Sequence, residues 1–264
     1  MMPVKRLYLG AMLFFMYAPI FVLMVFSFNA SRSRNAWDGF TFYWYLALFE
    51  DPAIGRALWN TLVVAVLSTL AAVAIGTTAA VGISKMGRRT SGAVMGVTKL
   101  PVMMPDIVTG ISLRMLYLFI FGMAGFGSLG LGTLLFSHIV FNVPYVILCV
   151  IPKLRQLDPN LYEAALDLGS SPPRAFAQVV LPEIWPGVVT GAMLAFTLSV
   201  DDFMVSFFTT SPAVQNLSTL IFSMTRRGVN PRINALSTIM FVAIMLMLFL
   251  IYRRDKKQAE SLED

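Results

Sequence analysis

Three aspartates interrupt long apolar stretches of this chain, where a charged side chain is costly. Asp201 and Asp202 are adjacent, and Asp106 stands in another apolar run about a hundred residues earlier. Ionisable residues inside a membrane are rare, and most of them face a water-filled path or an ionic partner. Three acids against one arginine in such stretches, Arg114, favour a path that suits a cationic solute.

Aromatic residues follow the paired aspartates: Phe203 comes directly after Asp202, and Phe207 comes four residues later. The face of an aromatic ring attracts an ammonium group, so these rings add to the same cationic chemistry. On a continuous helix, Asp201 and Asp202 point about 100° apart, so that one can face a path while the other braces a neighbouring helix. The structural alternative stays open: either aspartate pairs with Arg114 or caps a broken helix. Before Asp106, Pro105 predicts an opened helix with free carbonyls.

A second polar block, residues 155–182, separates two apolar runs. Asp158 followed by proline predicts a capped helix start, and Gly169 predicts a left-handed helix end. Ser171 and the prolines after it predict a second short helix. The block is therefore expected to form a helix–glycine–helix elbow that lies roughly parallel to the membrane.

The charge of this elbow indicates what it contacts. The stretch 157–169 contains Asp158, Glu163 and Asp167 but no lysine or arginine. Helices that lie on a membrane usually carry basic residues on the polar face, because the inner leaflet is anionic. An acidic helix suits a groove on another protein better. An amphipathic helix pair at the membrane surface remains the alternative.

Several kinds of chemistry find no support in the sequence. G-x-x-x-x-G-K-[ST] does not occur, and no G-x-G-x-x-G opens a helix after a strand, so the sequence supports neither of these routes to nucleotide binding. The chain has one histidine, His138, and one cysteine, Cys149. A lone histidine in an apolar run predicts a packed or hydrogen-bonded side chain rather than a metal ligand. We therefore expect no enzyme, no catalytic residue, no resident cofactor and no metal.

The elements that must position these residues are membrane-spanning helices. The chain of 264 residues is 57% hydrophobic and only 13% charged. A bilayer core of about 30 Å needs roughly 20 apolar helical residues. Six stretches qualify and predict an all-α polytopic membrane protein with six transmembrane helices: 7–28, 58–83, 93–121, 132–151, 186–208 and 234–252.

Lysine and arginine set the orientation. With the N-terminus in the cytoplasm, inner segments hold 13 basic residues and outer segments hold 6. Both termini and the elbow are therefore expected in the cytoplasm, and the net charge of +6 reflects topology rather than nucleic-acid binding. Outside, the loop 27–54 is expected to lie along the membrane surface, where it either anchors the chain or docks a partner. Small-residue pairs, Gly187 with Gly191 and Gly92 with Gly96, predict close helix packing in the bundle.

The elbow also carries a recognisable signature, E-A-A-x3-G-x9-[IV]-x-L-P. Residues of the elbow and of the start of the next span match this signature at every position. They are Glu163, Ala164, Ala165, Gly169, Val179, Leu181 and Pro182. This signature resembles the EAA loop of permease subunits of ABC-type importers. The resemblance implies that the loop, including Asp167, inserts into a cleft on a separate cytoplasmic ATPase, which binds ATP and magnesium and drives the spans.

Further stretches are similar to spermidine/putrescine permease subunits, in particular to the second of the two permeases. They are 17–20, 27–29, 104–108, 136–138, 195–202 and 228–231. The resemblance implies an ABC type I importer permease fold in the bacterial inner membrane. It also implies that the chain forms half of a polyamine path and that a second permease forms the other half. The expected further partners are an ATPase dimer and a periplasmic binding protein. The expected layout is one domain, 1–264, with a peripheral first helix at 7–28, core helices over 58–252 and the coupling loop at 155–182.

One residue departs from that pattern. After Asn230-Pro231 the subfamily usually has an acid, and this chain has Arg232. A basic outer mouth opposes a polycation, so Arg232 either turns toward a partner or indicates another solute. The alternatives are an importer of the same architecture for iron, thiamine or a small anion, and a stand-alone secondary transporter.

Overall fold

The computed structural model describes residues 2–31, 36–125, 127–226 and 231–260. Within them the secondary structure is helical, apart from one isolated bridge between Asn29 and Phe40. The helices are α1 Met2–Phe26, α2 Tyr43–Phe49, α3 Pro52–Ser84, α4 Arg88–Met103, α5 Asp106–Ala124, α6 Leu131–Gln156, α7 Pro159–Asp167, α8 Pro172–Ala175, α9 Leu181–Asp201, α10 Met204–Thr209, α11 Leu217–Arg226 and α12 Pro231–Glu260. A π-helical turn, Phe176–Val180, joins α8 to α9.

Five of these helical stretches are long and apolar enough to cross a membrane. They are Leu7–Phe26, Pro52–Ser84, Asp106–Ala124, Leu131–Gln156 and Pro172–Asp201. A sixth, shorter apolar stretch is Pro231–Leu246 within α12. The prediction of an all-α membrane protein is confirmed.

Two predicted spans are wrong in detail. The stretch 93–121 forms two helices, because Met104 has extended backbone (φ −82°, ψ 146°) before Pro105. Proline disfavours helical geometry in the residue before it and donates no backbone hydrogen bond. The stretch 186–208 is also broken: α9 ends at Asp201, and α10 begins at Met204.

Contacts divide the chain into two compact units, Met1–Gly55 with Leu220–Asp264, and Arg56–Thr219. The single domain expected over 1–264 stays a prediction. In the first unit, α1 and α2 pack on α12, and the rings of Tyr17 and Phe241 lie 6.4 Å apart.

The loop between α1 and α2 is folded around one asparagine. Asn29 is 1% exposed, and its side-chain oxygen accepts from the backbone N–H of Asp38 at 3.0 Å. The Trp44 indole donates to the Asn29 carbonyl at 2.7 Å, and Ser27 Oγ lies 2.6 Å from Tyr45 Oη. This part of the predicted outer loop is therefore held in a defined conformation by hydrogen bonds.

In the second unit, α6 and α9 form the main packed pair. A Cβ at Gly187 would lie 2.9 Å from the Cys149 carbonyl oxygen, and one at Gly191 would lie 3.2 Å from Cα of Val146. The predicted close packing at this glycine pair is confirmed. No heavy atom of the described residues comes within 4 Å of a Cβ placed at Gly92 or Gly96, so that prediction finds no partner within the chain.

Candidate functional site

The break between α9 and α10 is held by Asp202. This residue leaves the helical region (φ −62°, ψ 126°), and its carboxylate reaches forward into the first turn of α10. It accepts from the backbone N–H of Val205 at 3.1 Å, and from both the N–H and the hydroxyl of Ser206 at 2.7 Å. These bonds satisfy donors that the start of a helix leaves without an intrahelical partner.

A second ring of polar groups surrounds this cap. His138 Nε2 lies 3.0 Å from Ser206 Oγ and 3.6 Å from Asp202 Oδ2. Asn216 donates to Ser206 Oγ at 2.7 Å. The side chains of Asp202 and His138 are 5% and 1% exposed. A buried carboxylate with these partners stabilises the break, so the geometry supports the capping alternative for Asp202 rather than contact with a passing solute.

The same core contains a further buried polar cluster that the sequence analysis missed. Asn142 donates to Ser199 Oγ at 2.7 Å, and Ser199 Oγ lies 3.0 Å from Ser68 Oγ. All three side chains are buried, so they join α6, α9 and α3 through hydrogen bonds. Polar residues in predominantly apolar runs were the available signal, because a buried polar group needs a partner.

Asp201, in contrast, is exposed at the last residue of α9. The rings of Phe203 and Phe207 lie 5.4 Å apart beside it in the chain, and Phe207 is 42% exposed. The expectation that the two aspartates share one continuous helix is wrong. Their environments nevertheless differ, because Asp201 is exposed and the Asp202 side chain is buried.

Asp106 begins α5 and is exposed. One turn later, a Cβ at Gly110 would lie 3.1 Å from the Met204 carbonyl oxygen and 3.0 Å from the Phe208 ring. The first turns of α5 therefore lie against α10, which brings the two helix breaks into one region. Arg114 donates to the Phe208 carbonyl at 3.3 Å rather than pairing with either aspartate.

The predicted elbow is confirmed in its first half. Asp158 Oδ1 accepts from the backbone N–H of Asn160 at 2.9 Å, and α7 follows. Gly169 has φ +85°, and its N–H donates to the Leu166 carbonyl at 2.9 Å. Ser170 donates to the Ala165 carbonyl at 3.1 Å, which completes a Schellman helix end.

The second half of the elbow differs from the prediction. The short helix after Ser171 does not end before the next span, because α8 continues through the π turn into α9 as one stretch, Pro172–Asp201. Prolines 182 and 186 do not interrupt it. Pro182 directly follows the π turn, and Leu181 packs half-buried on the α6–α9 core.

The exposure of the elbow residues separates the signature into two groups. Glu163, Ala164 and Asp167 are exposed, as are Gly169 and Pro182. Ala165 is only 9% exposed and faces the body of the protein. Among the described residues, no group of three His, Cys, Asp or Glu side chains could hold a metal ion.

The unusual arginine has an acidic neighbour. Arg232 Nη1 lies 3.6 Å from Asp51 Oδ2, and both side chains are partly exposed. Part of the predicted 228–231 signature, Gly228 to Asn230, lies outside the described residues.

With this geometry established, comparison with known proteins decides the family. Residues 72–254 match the family described as "Binding-protein-dependent transport system inner membrane component". The chain belongs to this family. It is a permease subunit of an ABC importer in the inner membrane and not an enzyme, and ATP hydrolysis takes place on a separate chain.

Two relatives of this permease come from Escherichia coli. The "Spermidine/putrescine transport system permease protein PotC" is 38% identical over 256 residues, covering 96% of this chain and 95% of the relative. The "Putrescine transport system permease protein PotI" is 36% identical over 255 residues, covering 94% and 91%. The resemblance to ABC-type permeases of the spermidine/putrescine kind is confirmed.

Solved structures agree on the fold of the permease. A bacterial ABC transporter that imports the acidic polysaccharide alginate aligns with a TM-score of 0.74 at 18% identity, covering 97% of this chain and 95% of that one. The methionine transporter MetNI aligns with a TM-score of 0.60 at 21% identity, covering 76% and 94%. These likenesses establish the ABC importer permease fold alone, since the identities are low.

Proposed function

We propose that this permease forms half of the path by which a polyamine, spermidine or putrescine, crosses the inner membrane. It works with a second, different permease, a cytoplasmic ATPase dimer and a periplasmic binding protein. Both of its termini lie in the cytoplasm, so the elbow faces the ATPase. The proposal is supported by the polyamine permeases among its relatives and by the chemistry at the α9–α10 break.

The observation that carries the solute assignment is the exposed carboxylate of Asp201 at the end of a helix. A helix C-terminus carries a partial negative charge, to which the carboxylate adds. The neighbouring rings of Phe203 and Phe207 offer faces that attract an alkylammonium group. Charge and rings together suit a flexible chain of amines.

Asp106 is the second acid on the proposed path. It is exposed at the start of α5, close to the break that Asp201 borders. A polyamine carries several separated charges, so two carboxylates in one region match its chemistry better than a single one does. Asp202 remains in the proposal as the group that fixes the break.

Arg232 is compatible with a cationic solute. Its ion pair with Asp51 at 3.6 Å offsets the positive charge within the chain, which lowers the barrier that a basic outer surface would raise. The pair is partly exposed, and salt screens what remains of its field.

The proposed mechanism is alternating access driven by the ATPase. Closure of the ATPase dimer moves α7, and the turn at Gly169 connects α7 to the long helical stretch Pro172–Asp201. At about 1.5 Å per residue, 30 residues extend about 45 Å, from the elbow to the last residue of the stretch, Asp201. A displacement of the elbow is therefore carried by one element to the proposed solute site.

Uptake by intact cells tests the solute. Cells that express the complete transporter are expected to accumulate labelled putrescine or spermidine, and unlabelled polyamine is expected to compete. Competition by iron chelate, thiamine or a small anion, with none by polyamines, would contradict the proposal.

A further inference from the structure

The coupling helix α7 has two apolar faces rather than one. Its inner face, with Tyr162 and Ala165, packs on the body of the protein. Its outer face carries a second apolar stripe at helical spacing, made of Leu161, Ala164 and the residue directly after the helix, Leu168, and all three are exposed. Leu168 is 87% exposed, although it is a large aliphatic side chain in a polar segment.

The inner face is fixed, so the outer stripe cannot turn inward to bury itself. Tyr162 packs on the cluster that contains Ile83, Ile151 and Ile184. The Lys85 ammonium lies 5.0 Å from the centre of the Tyr162 ring, a cation–π distance. These contacts hold α7 against the inner ends of α3, α6 and α9 with Leu168 directed away.

Acidic residues flank the exposed stripe. Glu163 and Asp167 are one helical turn apart and both are exposed. The stretch 156–173 contains no lysine or arginine, so the outer face has negative charge only. An apolar stripe with an acidic border fits an apolar groove with a basic border, and it is repelled by an anionic lipid surface.

We infer that Leu168 is the principal anchor of α7 in the ATPase groove, that Leu161 and Ala164 line the same contact, and that Glu163 and Asp167 face basic residues at the groove rim. This inference rests on the proposed function, because it names the contact through which the proposed coupling is made. Leu168 lies at a variable position of the E-A-A-x3-G signature, so the signature does not identify it. Leu168 is the more exposed of the two leucines in the stripe, so its removal from water contributes most to the contact.

Retention of the ATPase by the purified permease tests the anchor. We expect Leu168→Ala to lower the amount of ATPase that co-purifies by about tenfold, and Leu168→Met to restore most of it. Met86→Ala is the matched control, because Met86 is an apolar side chain, 42% exposed, in the turn between α3 and α4. Wild-type retention in Leu168→Ala would overturn the inference.

Substitutions in the E-A-A-x3-G signature distinguish failure of the Leu168 contact from failure of coupling through the elbow. If Glu163→Lys and Gly169→Pro lose the ATPase while Leu168→Ala keeps it, coupling through the elbow stands and the anchor is wrong. If all three keep it, the proposed coupling and the anchor both fail. Loss in all three supports both.

A fluorescence measurement distinguishes a protein groove from lipid. Leu168→Cys in a Cys149→Ser background carries an environment-sensitive fluorophore at a single thiol, since the chain has one cysteine. We expect a blue shift when ATPase is added in detergent, and none for the same label at Met86→Cys. A blue shift on reconstitution into anionic liposomes without ATPase, and no further shift with it, would overturn the inference in favour of lipid contact.

Discussion

At the scale of single residues, two adjacent aspartates have different environments. Asp202 accepts three hydrogen bonds from the start of α10 and is buried, whereas Asp201 is exposed at the end of α9. A buried carboxylate whose oxygens already accept hydrogen bonds stabilises the fold, whereas an exposed carboxylate can contact a solute. The same residue type therefore supports different predictions at the two positions.

Asp201→Asn is expected to reduce polyamine uptake about tenfold or more, because it removes the negative charge and keeps the size of the side chain. Assembly with the ATPase should be unchanged. Uptake of labelled spermidine, together with the amount of assembled transporter in the membrane, checks this. Unchanged uptake would remove Asp201 from the path.

Asp202→Ala is expected to lower stability by about 1–3 kcal/mol, because it leaves the N–H groups of Val205 and Ser206 without the cap and His138 without its acidic neighbour. Thermal unfolding of the purified permease in detergent measures the effect, with Asp201→Ala as the control that should unfold as the wild type does. Equal melting of both variants would contradict the capping role.

At the scale of elements, the contact between α6 and α9 depends on small residues. The spacing of Gly187 and Gly191 predicted close packing there, but at Gly92 and Gly96, with the same spacing, a Cβ would meet no neighbouring element of the described residues within 4 Å. Spacing alone does not reveal which neighbour a helix face meets.

Gly187→Ala should destabilise the permease by about 1–3 kcal/mol, since the new methyl group would lie 2.9 Å from the Cys149 carbonyl oxygen. Gly96→Ala, in open space on α4, should be neutral or slightly stabilising because alanine favours helix. The yield and melting temperature of the two variants in detergent provide the comparison. A melting temperature for Gly187→Ala as high as that for Gly96→Ala would contradict tight packing.

The end of α7 yields a further prediction at this scale. Gly169 has φ +85°, which costs an alanine about 1 kcal/mol or more. Gly169→Ala is therefore expected to weaken coupling, measured as uptake per ATP hydrolysed, while Gly169→Asn keeps more of it because asparagine tolerates this region. If alanine and asparagine behave alike, the left-handed geometry is not what coupling requires.

At the scale of the whole chain, the stretch Pro172–Asp201 connects the coupling segment to the proposed solute site. Its π turn, Phe176–Val180, sets the rotation of α8 relative to α9. Turns of this kind occur frequently at functional sites.

Deletion of Gln178, an exposed residue of the π turn, is expected to convert the wide turn to an ordinary α-helical one and so to move α8 along the axis of α9 by about 1.5 Å. ATPase should still bind, because α7 is unchanged, but uptake should fall about tenfold. The ratio of uptake to ATP hydrolysis in proteoliposomes measures this, with Gln178→Ala as the control. Full uptake after the deletion would show that the register of this stretch does not matter.

Composition and local spacing were sufficient to predict the membrane class, the helical fold, the family signature and the bounds of α7. Those features are local: an apolar run is defined by composition, and a cap such as Asp158 or an end such as Gly169 acts within one turn. The helix break at Asp202 and the exposure of Asp201 could not be predicted in this way, because they follow from the packing of distant elements. That outcome depends on His138 and Asn216, which lie far from the aspartates in sequence or across a loop and meet Asp202 and Ser206 only when α6, α10 and the loop before α11 pack together.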